Sequence, residues 1–304
     1  MYYNNFMQIF NELNENKDLS LALGYFDGVH LGHQAVIKSA VNFAKQYNTK
    51  SAVITFKDHP CCYFYGVCPK YILSREDRQK RISELGIDYL YELDFDEKFC
   101  QITAKDYLEE ILVKYFTPKA ISTGFNHNFG ANKSGNVTFL KENQSEYGYK
   151  YFEISPQKIE DEIISSTAIR NHLQNGEFEK AYKMLGKNFE ISGEVIEGQK
   201  LGRSLGFRTA NVEYPSELVD IPFGVYEVQT QYGKGVANFG IRPTVDKSQK
   251  AVLETHILDF DKDIYSETLQ IEFIKMLRYE KKFNSIDELK TQIKNDINSI
   301  KKVS

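Results

Sequence analysis

Gly24-Tyr25-Phe26-Asp27-Gly28-Val29-His30-Leu31-Gly32-His33-Gln34 decides how the first half of this chain is read. An apolar run, residues 19–23, leads into it, and a helix-compatible segment, residues 35–47, follows. Strand, glycine turn and helix start fall within one short span. Gly28 and Gly32 permit close backbone approach, and the N-terminus of a helix offers N–H groups that lack intrahelical partners. Such a turn suits a phosphate chain, and His30 and His33 can stabilise charge developing during phosphoryl transfer. Taken alone, these residues also fit a glycine-rich turn whose histidines cap or pack.

Working outward, residues 51–56 form a β-rich run that Pro60 closes, and 87–93 and 149–154 are further strands. Ser74 caps a helix over 75–85 that Gly86 ends, and Thr103 caps another over 104–115. Strands alternating with helices imply an α/β, Rossmann-like sheet whose ligands lie beyond the C-terminal strand ends. The opening turn, residues 55–60 and the polar loop 124–135 all fall at such ends, so they are read as one site. Further on, Ile164-Ser165-Ser166-Thr167-Ala168-Ile169-Arg170 sets hydroxyls at a helix start with a guanidinium one turn in. Ser166, Thr167 and Arg170 can hold phosphate oxygens, or the hydroxyls can simply cap the helix.

The pattern changes after Gly186, and the domains are placed at 1–186 and 187–304. Short strands separated by turns then predict a small antiparallel β-barrel. A terminal helix follows, opened by Ser285 and Glu288 as a capping box. The densest stretch is Gly198-Gln199-Lys200-Leu201-Gly202-Arg203-Ser204-Leu205-Gly206-Phe207-Arg208-Thr209-Ala210-Asn211. Its glycines, Gly202 among them, allow a phosphate-wrapping loop, and Thr209 and Asn211 can present oxygens to Mg²⁺. Standing alone, it also fits an ordinary hairpin loop. Glu254 is a candidate general base, or else an outward-facing strand carboxylate.

The chain has 304 residues, 41% apolar and 26% charged, which is enough for a packed core. A net charge of −4 speaks against general nucleic-acid binding. No apolar run reaches the roughly 18 residues a membrane span needs, and the N-terminus has no secretory pattern, so a cytoplasmic location is expected. Cys61, Cys62, Cys68 and Cys100 lack paired ligand spacing and are expected as reduced thiols. Oligomeric state is not legible.

Four ordered motifs in the first half, G-Y-F-D-G-V-H-L-G-H-Q, T-F-K-D-H-P, G-F-N-H-N-F-G and I-S-S-T-A-I-R, resemble the adenylyltransferase module of bacterial bifunctional riboflavin kinase/FAD synthetases. In the second half, G-R-S-L-G-F-R-T-A-N, N-F-G-I-R-P-T and E-T-H-I-L-D-F-D-K-D-I-Y resemble that family's riboflavin kinase module. The resemblance implies that His30 and His33 meet ATP phosphates, with Gly24, Phe26, Asp27, Gly28 and Gly32 shaping the nucleotide turn. Ser166, Thr167 and Arg170 would complete the clamp. His59, Asn126, Asn238 and Arg242 would border the flavin. Thr209 and Asn211 would hold Mg²⁺ and phosphate, with Glu254 activating the ribityl hydroxyl. Riboflavin, FMN and ATP are the implied substrates, with no nucleic-acid or membrane partner. Two departures are Asp58 and Arg208, which stand where the family usually has proline. Arg208 keeps open a chain that is an adenylyltransferase only, with an impaired kinase module. The motifs also admit an adenylyltransferase for a different substrate, or a non-catalytic flavin- or nucleotide-binding regulator.

Overall fold

The computed structural model describes residues 7–197, 207–243 and 249–301. Gly202 lies outside them. Two compact units emerge, one formed by 1–69 with 75–166 and the other by 70–74 with 167–304.

The first unit is built on β1 (Gln8–Phe10), β2 (Leu19–Leu23), β3 (Lys50–Phe56), β4 (Tyr89–Leu93) and β5 (Ala120–Gly124). The ribbon β6 (Asn128–Phe129) and β7 (Gly135–Asn136) precedes β8 (Lys150–Ile154), and the hairpin β9 (Lys158–Ile159) and β10 (Glu162–Ile163) closes the unit. The main sheet runs β1-β4-β3-β2-β5-β8 with every pairing parallel. This is the α/β architecture expected. All five residues of β2 are buried, as a strand covered on both faces requires.

Helices α1 (Leu31–Tyr47), α2 (Pro60–Tyr65), α3 (Arg75–Ser83), α4 (Glu97–Cys100), α5 (Ala104–Asp106) and α6 (Val137–Tyr147) connect the strands. The apolar stripe of α1, Val36, Ile37, Ala40, Val41, Phe43 and Ala44, is buried. Three elements differ from expectation. Pro60 does more than stop a strand, because it occupies the first turn of α2 behind the His59 cap. α6 was not anticipated; its start is marked by Asn136, whose side chain accepts from Phe139 N–H at 3.0 Å. The helix capped by Thr103 begins as expected, but from Tyr107 to Phe116 it winds as a π-helix. The expectation of four reduced thiols is also corrected. Cys62 and Cys68 form a disulfide, while Cys61 and Cys100 are free. Gly66, at φ 66°, turns the chain after α2 and brings Cys68 back beside Cys62.

In the second unit, α7 (Ser166–Gln174) and α8 (Phe178–Leu185) lead into β11 (Phe189–Ile196), β12 (Ala210–Glu213), β13 (Gly224–Thr230), β14 (Gly233–Pro243), β15 (Gln249–Ile257) and β16 (Thr268–Tyr279). They close as an antiparallel barrel in the order β11-β12-β15-β14-β13-β16. Phe189, Ile191, Tyr226, Leu253 and Phe273 are buried, and Phe178 of α8 stacks on Phe273. The terminal helix α9 (Ile286–Lys301) buries Ile297 and Ile300 against Val225 and Val236. An Arg278–Asp296 ion pair of 2.9 Å fastens it to β16. Its start carries the anticipated box almost as written. Ser285 Oγ accepts from Glu288 N–H at 3.2 Å, and the Glu288 carboxylate accepts from Asn284 N–H, one residue early.

Candidate functional site

In the first unit, β3, β2 and β5 are adjacent and parallel, so Phe56–Pro60, the Gly24–Gln34 turn and the Gly124 loop leave the same edge of the sheet. The turn bends through positive φ at Phe26 (60°), Gly28 (78°) and Val29 (43°). Phe26 and Asp27 are buried, so their side chains build the turn from within. Its carbonyls are tied down from several sides: Thr55 Oγ1 donates to Tyr25 O at 3.0 Å, Gln34 Nε2 to Val29 O at 3.0 Å, and Ser166 Oγ to Asp27 O at 3.0 Å. A hydroxyl of the I-S-S-T-A-I-R motif therefore reaches the opening turn. The Ser166 side chain braces that turn and is not a helix cap.

His30 is the N-cap of α1, and its Nδ1 accepts from His33 N–H at 3.2 Å. That bond places the ring proton of neutral His30 on Nε2, which is left as a donor. The His30 and His33 rings stack at 3.6 Å between centroids, and Phe26 meets His33 edge-on. A Cβ at Gly32 would stand 3.2 Å from the His30 ring, so glycine there preserves the cap geometry. Burial lowers the pKa of His30 to about 4. His33 is lowered well below the usual range, first by burial and then by His30, despite an opposing hydrogen bond with the Asp27 backbone. His33 Nδ1 is buried without a partner. At neutral pH, both imidazoles are neutral.

Unfolded His30 binds a proton below about pH 6.5 and native His30 only near 4, so the unfolded state holds more protons in that window. Stability falls as pH drops from 6.5 toward 4, by about 1.4 kcal/mol per unit from this group. His30→Asn keeps an N-cap acceptor and removes the titration. Urea unfolding between pH 7 and 5 should show a shallower loss of stability in that variant; an unchanged slope would remove His30 as its source.

Sequence reading missed the support beneath the turn. Glu92, fully buried on β4, pairs with Arg78 at 2.7 Å and with Arg75 at 2.9 Å. Arg78 also donates to Tyr25 O and Phe56 O and lies over the Tyr25 ring. A carboxylate inside the apolar run Tyr89-Leu90-Tyr91-Glu92-Leu93 was the available signal. His59 caps α2, with Nδ1 accepting from Cys61 N–H at 3.1 Å, and packs edge-on against Tyr25. Asn126 is exposed on the third loop, and its carbonyl accepts from Asn128 Nδ2. Beside these loops, Phe56, Phe64, Phe95 and Phe99 form a ring cluster with Phe64 59% exposed. Thr167 and Arg170 belong to the second unit, where Arg170 Nε donates to Lys70 O at 2.7 Å.

A cavity of about 330 Å³ lies where β11, β12 and β15 meet residues 260–265. Its walls include Thr209, Asn211, Thr255, Arg208 and Lys262. Asn211 Oδ1 and Thr255 Oγ1 are buried without hydrogen-bond partners. Glu254 stands in register between Asn211 on β12 and Asn238 on β14, and Asn238 is exposed. Arg242 lies farther along β14, in register with Lys250. Arg208 is built into the wall: its guanidinium donates to Asp261 O, and its carbonyl accepts from His256 Nδ1–H at 2.8 Å.

A parallel sheet with a histidine-bearing helix start, followed by a closed barrel with an oxygen-lined cavity, defines a two-unit nucleotide-handling class. Family models bear this out. The FAD synthetase model matches residues 12–168, and the riboflavin kinase model matches 185–304. Over 288 residues the chain is 35% identical to the bifunctional riboflavin kinase/FMN adenylyltransferase of Haemophilus influenzae, covering 93% of each chain. It is 35% identical to the Bacillus subtilis enzyme of that name, covering 91% of this chain and 89% of the relative. A solved structure described as a macrolide-efflux protein from Streptococcus pneumoniae matches with TM-score 0.87 and 29% identity, covering 96% of this chain and 97% of the other. Among the described residues no helix is long and apolar enough to cross a membrane. This chain belongs to the bifunctional riboflavin kinase/FMN adenylyltransferase family.

Proposed function

We propose that the chain performs the two successive steps of flavin cofactor synthesis, with residues 1–186 serving adenylyl transfer and 187–304 serving the kinase step. The barrel transfers the γ-phosphoryl group of ATP to riboflavin, yielding FMN and ADP. The α/β unit joins FMN to AMP from a second ATP, yielding FAD and pyrophosphate. The observation that carries this reading is the presence, in one chain, of the stacked His30–His33 helix start and the barrel cavity with its unpartnered Asn211 oxygen.

In adenylyl transfer an FMN phosphate oxygen attacks the α-phosphorus, and the bond to the β-phosphate oxygen breaks. Positioning and charge stabilisation suffice, without an enzyme nucleophile. His30 donates from Nε2 and the α1 N-terminus supplies backbone N–H groups. His33 gains at Nδ1 the partner it lacks, taking up a proton as the triphosphate arrives. Thr167 and Arg170 are assigned to the same step on the sequence motif. The exposed ring cluster around Phe64, with Asn126, suits the flat isoalloxazine.

In the kinase step Glu254 removes the proton of the ribityl hydroxyl as it attacks the γ-phosphorus. Buried, unpartnered Asn211 Oδ1 fits a hard divalent cation, so Asn211 and Thr209 are the residues that would hold Mg²⁺. When bound, the ion neutralises phosphate charge. Asn238 and Arg242 border the flavin side. The chain acts in the cytoplasm.

Incubation with riboflavin, ATP and Mg²⁺, followed by chromatographic separation of flavins, should yield FMN and then FAD. FAD from supplied FMN, with no FMN from riboflavin, would favour an adenylyltransferase-only chain. Neither product would overturn the reading.

A further inference from the structure

We infer that Thr255 is a nucleotide contact of the kinase site, its Oγ1 donating to a phosphate oxygen of the ATP that Thr209 and Asn211 engage. Thr255 is fully buried. Its hydroxyl has no hydrogen-bond partner, although it sits in the middle of a barrel strand. A buried threonine hydroxyl usually bonds to protein or water, and one left alone is costly. The neighbouring strands do not meet that need. Thr255 is in register with Ala210 on one side and Ala237 on the other, and neither side chain carries a polar atom. Valine would fill the same volume without the cost.

The hydroxyl lines the same cavity as Thr209 and Asn211, in a wall otherwise apolar at Val195, Ala210 and Ile257. Arg208 and Lys262 line the cavity as well and can partner phosphate oxygens, beside the carboxylates of Glu197 and Asp263. Two buried oxygens in one cavity, Asn211 Oδ1 and Thr255 Oγ1, both lack partners, yet they differ in chemistry. The amide oxygen only accepts and suits a cation. The hydroxyl can donate and suits a phosphate oxygen. Strand alternation separates them, with Asn211 on the Glu254 face and Thr255 on the opposite one. They would therefore approach the ligand from different directions.

The inference rests on the cavity being the kinase nucleotide site, and the test separates the two. Calorimetric titration with Mg²⁺·ADP should show Thr255→Val binding about 10- to 100-fold more weakly, the scale of a lost hydrogen bond to a charged group. Thr255→Ser should recover most of the affinity. The ligand-free Thr255→Val protein should melt higher by roughly 2–4 °C, because the unsatisfied hydroxyl is gone; a purely structural role predicts the reverse. Asn211→Ala is the control. If it weakens binding while Thr255→Val stays within twofold of the parent, the Thr255 contact is overturned and the site stands. If neither weakens binding, the site assignment itself falls. Should valine disturb folding, Thr255→Ala removes the same hydroxyl and must show the same loss against Thr255→Ser.

Discussion

His33→Ala abolishes FAD formation from FMN while FMN formation from riboflavin continues at close to the parent rate. The size of the effect follows from how many parts of the turn the ring supports. The imidazole stacks on His30 at 3.6 Å and is flanked by Phe26, and its own backbone N–H is the group that His30 caps. Truncation removes one phosphate partner and leaves His30, the other, without its stacking surface. Loss of one preorganised group of this kind costs about 10²–10³ in rate, and disturbing both should exceed 10³, or about 4 kcal/mol of barrier. The first unit should stay folded, because the buried Arg75–Glu92–Arg78 network and the β2–β3–β5 sheet do not depend on His33. Separate assays of the two half-reactions on one preparation decide the matter. Equal loss of both activities in a folded protein would break the division between units.

Glu254→Gln has the opposite outcome. Riboflavin phosphorylation should fall by about 10²–10⁴, the usual contribution of a general base, while FMN adenylylation persists. Glutamine keeps the length and the register between Asn211 and Asn238, so binding of Mg²⁺·ADP should remain near that of the parent. The loss should appear in kcat. A variant that phosphorylates riboflavin at the parent rate would leave Glu254 as a strand carboxylate without catalytic work.

Much of this was legible because local chemistry and local structure agree. Gly28 and Gly32, the two histidines and the apolar residues of β2 all lie within fifteen residues, and the fold sets them, as the pattern expects, in a strand, a turn and a helix start. The barrel was legible from turn spacing, and α9 from its cap. What escaped depends on partners that the fold, and not the local pattern, brings together. Ser166 reads as a helix cap until its hydroxyl is seen to donate to Asp27 O, across 139 positions. Glu92 and Arg78 look like an isolated acid and one base among several until burial joins them. The Cys62–Cys68 pairing depends on the turn after α2, which spacing alone does not disclose. β12 is only four residues long and gains its identity from the partners on either side.

The closed barrel has one more consequence, for the chain's tolerance of insertions and deletions. Glu254 and Thr255 are neighbours in sequence but serve opposite faces of β15. In an open sheet, a slipped strand can be absorbed at a free edge. Here, β15 is clasped by β12 and β14 in a ring with no free edge. A single residue added within β15 would carry the carboxylate inward and the hydroxyl outward in one stroke. The barrel takes up its register shifts between β13 and β16, at Val225/Tyr226 and Glu227/Val228, and keeps β15 in unbroken register with β12 and β14, so that it acts as a gauge holding the spacing of its own chemistry.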